Sequence, residues 1–321
     1  MSEHALPPIV VVAGPSASGK SALALALAEA FDGTVINADS MQVYRDLRVL
    51  TARPTPAEEA RAPHRLYGVI DAAEACSAGR WRAMALAETA AAQKAGRLAI
   101  LAGGTGLYLR ALLEGLAPIP PVMESVRQEA RALHARLGGA AFKDALAALD
   151  AETAAALAPG DSQRLIRAYE VARATGRGLV DWRRAPTPPS AFRTAAVVLL
   201  PPRPALYTRC DARFLRMVEE GAEAEAAALL ARELDPRLPA MKAVGLAELA
   251  AFVAGRCSLP EAIAAAQQAT RRYVKRQCTW FRHQLPESEH LQKMVVGEQF
   301  SESLQGQIFP FIRQFLLTVK S

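Results

Sequence analysis

The chain has 321 residues, 51% of them hydrophobic and 22% charged, which excludes a disordered chain and exceeds what one compact unit needs, so a core plus a second module is expected. A net charge of +6 points to an anionic partner. Four widely separated cysteines without a C-x-x-C pair, and five scattered histidines, exclude a structural zinc site and a disulfide framework.

The opening "MSEHALPPIVVVAG" carries an acid, two prolines and an apolar run too short for a signal peptide or a membrane span, which predicts a cytoplasmic protein. Residues 9–13, 35–38, 98–102 and 196–200 are short apolar runs rich in β-branched residues, each ending in Gly, Pro or polar residues, as buried parallel strands do. Residues 21–31 and 80–95 read as helices, with Gly33 and Gly96 as C-terminal caps. Strand and helix in alternation predict an α/β fold, a parallel sheet core of the P-loop NTPase-like kind. The alternation stops near residue 117. Residues 117–194 read as a helical insertion domain with eleven Lys and Arg against eight Asp and Glu. Residues 1–116 are then the first part of the P-loop core, 195–284 its second, mostly helical part, and 285–321 a C-terminal tail. The ending "QIFPFIRQFLLTVKS" fits a packing helix, a partner site or a poorly ordered tail.

Gly14, Pro15, Ser16, Ala17, Ser18, Gly19, Lys20 and Ser21 match G-x-x-x-x-G-K-[ST] between a strand and a helix. The glycines let backbone N–H groups turn inward, the helix N-terminus adds positive potential, Lys20 reaches phosphate oxygens, and Ser21 can ligate Mg²⁺. This predicts a diphosphate or nucleotide site. A P-loop NTPase also needs an acid at the end of a second strand to hold the Mg²⁺ shell. Here "LAILA" runs into Gly103 and Gly104, and "AVVLL" into Pro201 and Pro202. The acid at a strand tip is instead Asp39, in "VINADSMQVY", on the ligand edge of such a sheet. Phosphoryl transfer by a kinase and a transfer with diphosphate as the leaving group both remain open on these residues.

"GPSASGKS", "NADSMQVYR", "AGGTGLYLRALLEG", "DSQRLIRAYEV", "PPRPALYTRCDARFLRMVEEG", "KAVGLAEL" and "KRQCTWFRH" follow in order over most of the chain. Together they resemble the tRNA dimethylallyltransferase (isopentenyl-tRNA transferase) family, bacterial type. Leu246 and Ala247 stand where the family usually has an aromatic residue and an arginine, and the zinc finger of the eukaryotic relatives is absent. The resemblance implies transfer of a dimethylallyl group from dimethylallyl diphosphate to the N6 amine of the adenine 3′ of the anticodon, in tRNAs reading codons that begin with U. It further implies Mg²⁺ at Ser21, Asp39 as general base, and Thr105 orienting the amine. Arg203 and Arg209 match the family's diphosphate arginines. Asp39, Ser40, Met41, Gln42 and Thr105 match the stretch that touches the extruded base. Arg127, Gln163, Arg164, Leu165, Ile166, Arg167, Lys275 and Arg276 become contacts to the anticodon stem-loop. A monomer with no membrane partner is expected.

On the residues alone, 161–176 form a capped helix with Leu165, Ile166, Tyr169 and Ala172 on its apolar side. In "TRRYVKRQCTWFRH" the stripe Tyr273, Gln277, Trp280 and Phe281 reads as core rather than as a base-stacking platform. A small-molecule kinase explains the cradle and Asp39, but neither the basic helices nor the missing second-strand acid. A non-catalytic RNA-binding regulator with a relic cradle does not explain intact Lys20, Ser21 and Asp39 together.

Overall fold

β1 (Pro8–Ala13) is apolar on every side chain because both of its faces are covered. Ile9 and Val11 enter one hydrophobic core, Val10 and Val12 another. The computed structural model describes residues 6–185, 192–285 and 289–318. After β1 come α1 (Lys20–Ala30), β2 (Gly33–Asn37), α2 (Pro56–Arg61), β3 (His64–Arg65), α3 (Ala78–Lys94), β4 (Leu98–Gly103) and α4 (Gly106–Leu113). Then follow α5 (Glu124–Ala147), α6 (Ala151–Ala156), α7 (Ser162–Thr175) and α8 (Leu179–Arg184). The chain closes with β5 (Arg193–Leu199), α9 (Arg203–Glu219), α10 (Ala222–Leu230), α11 (Leu246–Val253), α12 (Leu259–His283), β6 (Leu291–Val296) and α13 (Gln305–Leu317). Two compact units result, one of Met1–Leu113 with Ser190–Ser321 and one of Glu114–Pro189.

In the first unit six parallel strands lie in the order β3-β2-β4-β1-β5-β6. Val11 pairs with Leu101 of β4 and with Ala196 of β5, so β1 is central. The chain moves to one side of β1 through β2 and to the other through β5. The carboxyl end of β1 is therefore a switch point, where such sheets bind ligands.

Four strands match the apolar runs in the sequence, and two do not. β6 carries Gln292 and Lys293 and is largely exposed, so it lacks a buried strand's continuous apolar signature. It is recognised only by its pairing with Thr194–Leu199. β5 starts at Arg193, earlier than the apolar run suggests. Gly33 is not a helix cap: it opens β2, and the left-handed turn after α1 falls on Asp32 with φ 45°. Gly96, at φ 73°, does follow α3.

The C-terminal segment is a packing element. Ile308, Ile312 and Phe315 of α13 are fully buried against Val10, Val12, Val197 and Leu199, on the sheet face that α1 also covers. No helix among the described residues is long and apolar enough to cross a membrane.

The second unit has its own core. Phe142, Leu146, Leu165, Ala168, Val171 and Leu179 pack together, with Phe142 against Tyr169 at 5.2 Å. Asp150 caps α6 through Thr153 N–H at 3.0 Å and also accepts Leu179 N–H at 2.7 Å, so one buried carboxylate fastens α6 to α8. α7 begins on an Asp161 cap and ends at Gly176, which is left-handed.

Phe315→Ala should cost about 3–5 kcal/mol of stability in chemical denaturation, as fully buried aromatic truncations do. Leu317→Ala, at a position 83% exposed, should change it by less than about 0.5 kcal/mol.

Candidate active site

The cradle forms where β1 stops. A Cβ on Gly14 would lie 2.6 Å from the Leu199 carbonyl oxygen and 2.7 Å from Ser18 Oγ, so only glycine fits between β1 and β5. Ala17 (φ 62°) and Gly19 (φ 90°) reverse the chain and turn successive N–H groups inward. Gly19 is also the N-cap of α1 and offers no side-chain acceptor, which leaves the first-turn donors to a bound anion. Phe300, beyond β6, braces the loop: its N–H donates to the Ser18 carbonyl at 3.3 Å. Ser18 is fully buried and its Oγ has no partner among the described residues. Lys20 Nζ donates to the Pro15 carbonyl at 3.4 Å, and burial draws the ammonium down to about 8 against the opposing pull of Asp39. Ser21 is exposed on the first turn of α1.

Asp39 lies just past β2, and its placement is fixed by its neighbour Asn37. Asn37 Oδ1 accepts Asp39 N–H at 2.8 Å, while Asn37 Nδ2 donates to the Asp39 and Leu66 carbonyls at 3.0 and 3.1 Å. Asp39 Oδ1 then accepts Met41 N–H at 3.0 Å. Thr105 follows β4 on the neighbouring strand. Its Oγ1 accepts Ser40 N–H at 2.9 Å and donates to Ser40 Oγ at 3.2 Å, and its N–H donates to the Ala38 carbonyl at 3.3 Å. Asp39 and Thr105 thus belong to one hydrogen-bonded unit. Gln42 turns its amide elsewhere, donating to the Thr51 and Ala52 carbonyls at 2.9 Å each.

A cavity of about 230 Å³ joins these parts. Ser16, Asp39, Ser40, Arg213, Tyr273 and Arg276 form its polar wall; Met41, Leu50, Phe214, Met217 and Val244 form its apolar one. Burial lowers the Arg213 guanidinium, with Cys210 and Asp39 opposing. Burial and then Asp39 raise the Tyr273 phenol, and Arg276 stacks on its ring at 5.6 Å. Tyr273 therefore departs from the core stripe read in the sequence, whereas Phe281 and Gln277 are buried. The α9 arginines divide between two hollows. Arg209 is exposed and lines a separate groove with Pro201 and residues 297–301, and Arg203 begins α9 with its Nε buried and unpartnered among the described residues. Arg213, one turn beyond Arg209, is the α9 arginine in the cavity. Its signal was its position among Cys210, Phe214 and Met217, the buried residues of α9.

In the second unit, Gln163 is exposed, Arg164 is 71% exposed and paired with Asp161 at 3.2 Å, and Arg167 is 42% exposed and paired with Glu170 at 3.3 Å. Arg127 lies 3.9 Å from Glu124. Ile166 is half-buried. Leu165 is sealed in the core, so its side chain is not available to a partner. In the first unit Lys275 is exposed on α12.

Residues 42–284 match the IPP transferase family. The tRNA dimethylallyltransferase of Rhodospirillum rubrum is 57% identical over 313 residues, spanning 97% of this chain and 96% of that protein. The one from Rhodospirillum centenum is 59% identical over 280 residues, 87% of this chain and 89% of that protein. The crystal structure of the full-length tRNA isopentenylpyrophosphate transferase from Bacillus halodurans gives a TM-score of 0.68 at 30% identity, covering 97% of each chain. A eukaryotic dimethylallyltransferase, at 22% identity and covering 98% of this chain and 81% of its own, shares the fold with a TM-score of 0.80.

A diphosphate in the cradle would keep Lys20 protonated, whereas burial lets free Lys20 lose its proton near pH 8. Affinity for an alkyl diphosphate, fully ionised in this range, should hold steady below pH 8. Above it, affinity should fall by up to about tenfold per pH unit, and Lys20→Ala should abolish the slope; isothermal titration across pH 7 to 9.5 checks both.

Proposed function

The chain belongs to the IPP transferase family, and from that premise we propose that it is a tRNA dimethylallyltransferase. It moves the dimethylallyl group of dimethylallyl diphosphate onto the N6 amine of the adenine 3′ of the anticodon, in tRNAs that read codons beginning with U. It works as a monomer in the cytoplasm, in keeping with four free cysteines. The observation that carries this reading is the cavity, which sets the half-buried Arg213 guanidinium and the Asp39 carboxylate beside an apolar wall.

In this reading the amine nitrogen attacks C1 of the prenyl group as the bond from C1 to the diphosphate oxygen breaks. The bonding electrons leave with the diphosphate. Positive charge builds on the nitrogen, and the Asp39 carboxylate takes its proton. Thr105 Oγ1, which accepts the Ser40 N–H and bonds the Tyr273 phenol, orients the amine in this reading. The diphosphate gains charge as it departs, and Lys20, Arg213 and the amides of the cradle bind that charge more strongly in the transition state. Met41, Leu50, Phe214 and Met217 suit the five-carbon chain and exclude water from it.

No three His, Cys, Asp or Glu side chains converge among the described residues. Mg²⁺ would be held by the exposed Ser21 hydroxyl on the first turn of α1 and by the ligand's own phosphate oxygens. When bound, the ion supplies further neutralisation of the departing diphosphate. ATP phosphates could occupy the same cradle, but β4 ends in Gly103 and Gly104, without the acid of a hydrolytic P-loop enzyme. Exposed Arg164 and Arg167, with Gln163 beside them on α7, suit the anticodon arm.

Incubation with bulk tRNA and either labelled dimethylallyl diphosphate or γ-labelled ATP tests the reading. Label should enter tRNA from the first alone, and entry from ATP alone would replace the proposal with a kinase. Asp39→Asn keeps the shape of the residue but cannot accept a proton. Single-turnover transfer should fall by about two to four powers of ten, while tRNA binding and melting temperature hold. Near-normal transfer would remove Asp39 as the base. Arg164→Ala with Arg167→Ala should weaken tRNA binding and flatten its salt dependence by about one to two units of log–log slope. Filter binding at several salt concentrations reads that change.

A further inference from the structure

The β1–β4 ladder ends at Ala13 and Gly103. Beyond it, one side chain ties the two loops together. Gln277 of α12, only 5% exposed, accepts Ser16 N–H at 2.9 Å and the Ser16 hydroxyl at 3.3 Å on Oε1, and its Nε2 donates to the Gly104 carbonyl at 3.0 Å. The approach is close: a Cβ on Gly104 would lie 2.5 Å from Gln277 Nε2 and 3.1 Å from the Gly14 carbonyl oxygen. Gly104 immediately precedes Thr105, whose Oγ1 accepts the N–H of Ser40, the residue after Asp39. A continuous path of hydrogen bonds and single residues therefore runs from the cradle through Gln277 and Thr105 to the segment that carries the base.

We propose that Gln277 is a positioning residue that sets the distance between the leaving diphosphate and the attacking amine, an inference that rests on the prenyl-transfer reading. Ser16 belongs to the cradle and Gly104 to the turn holding Thr105, so the carboxamide grips one loop of each partner in the reaction. A planar amide that donates on one side and accepts on the other fixes both the separation and the orientation of those loops. An apolar side chain of the same length would fill the space but leave the Ser16 N–H and the Gly104 carbonyl unpaired and free to part. In a displacement that requires near-contact alignment, misplacement by about 1 Å costs on the order of a hundredfold in rate. A buried amide that served packing alone would instead affect folding and leave the chemical step of the folded protein intact.

The test uses the full chain with dimethylallyl diphosphate and tRNA. Gln277→Met should lower the saturating single-turnover rate by about 10- to 100-fold, with dissociation constants for both substrates within about threefold of normal. Combined with Thr105→Ala, it should lose less than the product of the two separate factors, because both act through one turn. Full multiplication of the losses, or a loss confined to diphosphate affinity, would overturn the proposal. If Gln277→Met does not fold, Gln277→Glu read across pH serves: the protonated carboxyl can keep both bonds, whereas the ionised carboxylate accepts from Ser16 but cannot donate to Gly104, so the rate should fall as the carboxyl ionises. A rate in Gln277→Glu that stays normal to the highest pH the fold tolerates would also overturn the role. Absence of transfer by the unaltered chain would overturn the functional reading itself, whereas full transfer by the variants would overturn the positioning role alone.

Discussion

Between Ala13 and Lys20 the chain turns on Ala17 and Gly19 around a hollow at the end of β1, and a buried backbone donor left without a partner costs about 1–3 kcal/mol. Everything around the hollow follows from how those donors are met. Gly19 leaves the first turn of α1 without a side-chain cap. Gly14 has no Cβ to keep β5 away. Ser16 alone has its N–H taken by a side chain, that of Gln277, and Phe300 fastens the outer side of the loop through the Ser18 carbonyl. A stretch of chain that would collapse onto its own amides in isolation is held open by β5, α12 and the C-terminal segment.

The charges next to the hollow are arranged by the same economy of space. Lys20 and Arg213 both lose hydration and hold their protons less tightly, while Asp39 offsets part of that loss for each. Cations in this state gain more from an arriving diphosphate than hydrated ones would, since the field between them is poorly screened. The apolar side chains of Met41, Leu50, Phe214 and Met217 line one wall of the cavity that Asp39 and Arg213 share. On the proposed chemistry, charge leaves at the cradle and appears at the amine. Lys20 in the cradle and the Asp39 carboxylate in the adjoining cavity answer both changes.

The second unit has a core of its own, around Phe142, Leu146 and Leu165, and the double use of Asp150 fastens α6 to α8. On its polar surface Arg164 pairs with the partly exposed Asp161, and Arg167 with Glu170, whose side chain is buried.

The sequence by itself determined what is local. Alternating strand and helix, the cradle motif, Asp39 at a strand tip, and the caps Asp161 and Gly176 are all set by neighbours a few residues away, where backbone geometry and hydrogen bonding decide. Tertiary structure decided the rest. β6 is a strand only because β5 offers it an edge, and α13 packs only because β1 and β5 present Val10, Val12, Val197 and Leu199 on the face it covers. Arg213 enters the cavity, and Arg209 does not, because the cavity meets α9 over Cys210–Met217, one turn beyond the groove that Pro202, Ala205 and Arg209 line. Gln277 meets a cradle 261 positions away in the chain. No pattern along the sequence encodes that meeting, because it depends on where α12 passes the ends of β1 and β4.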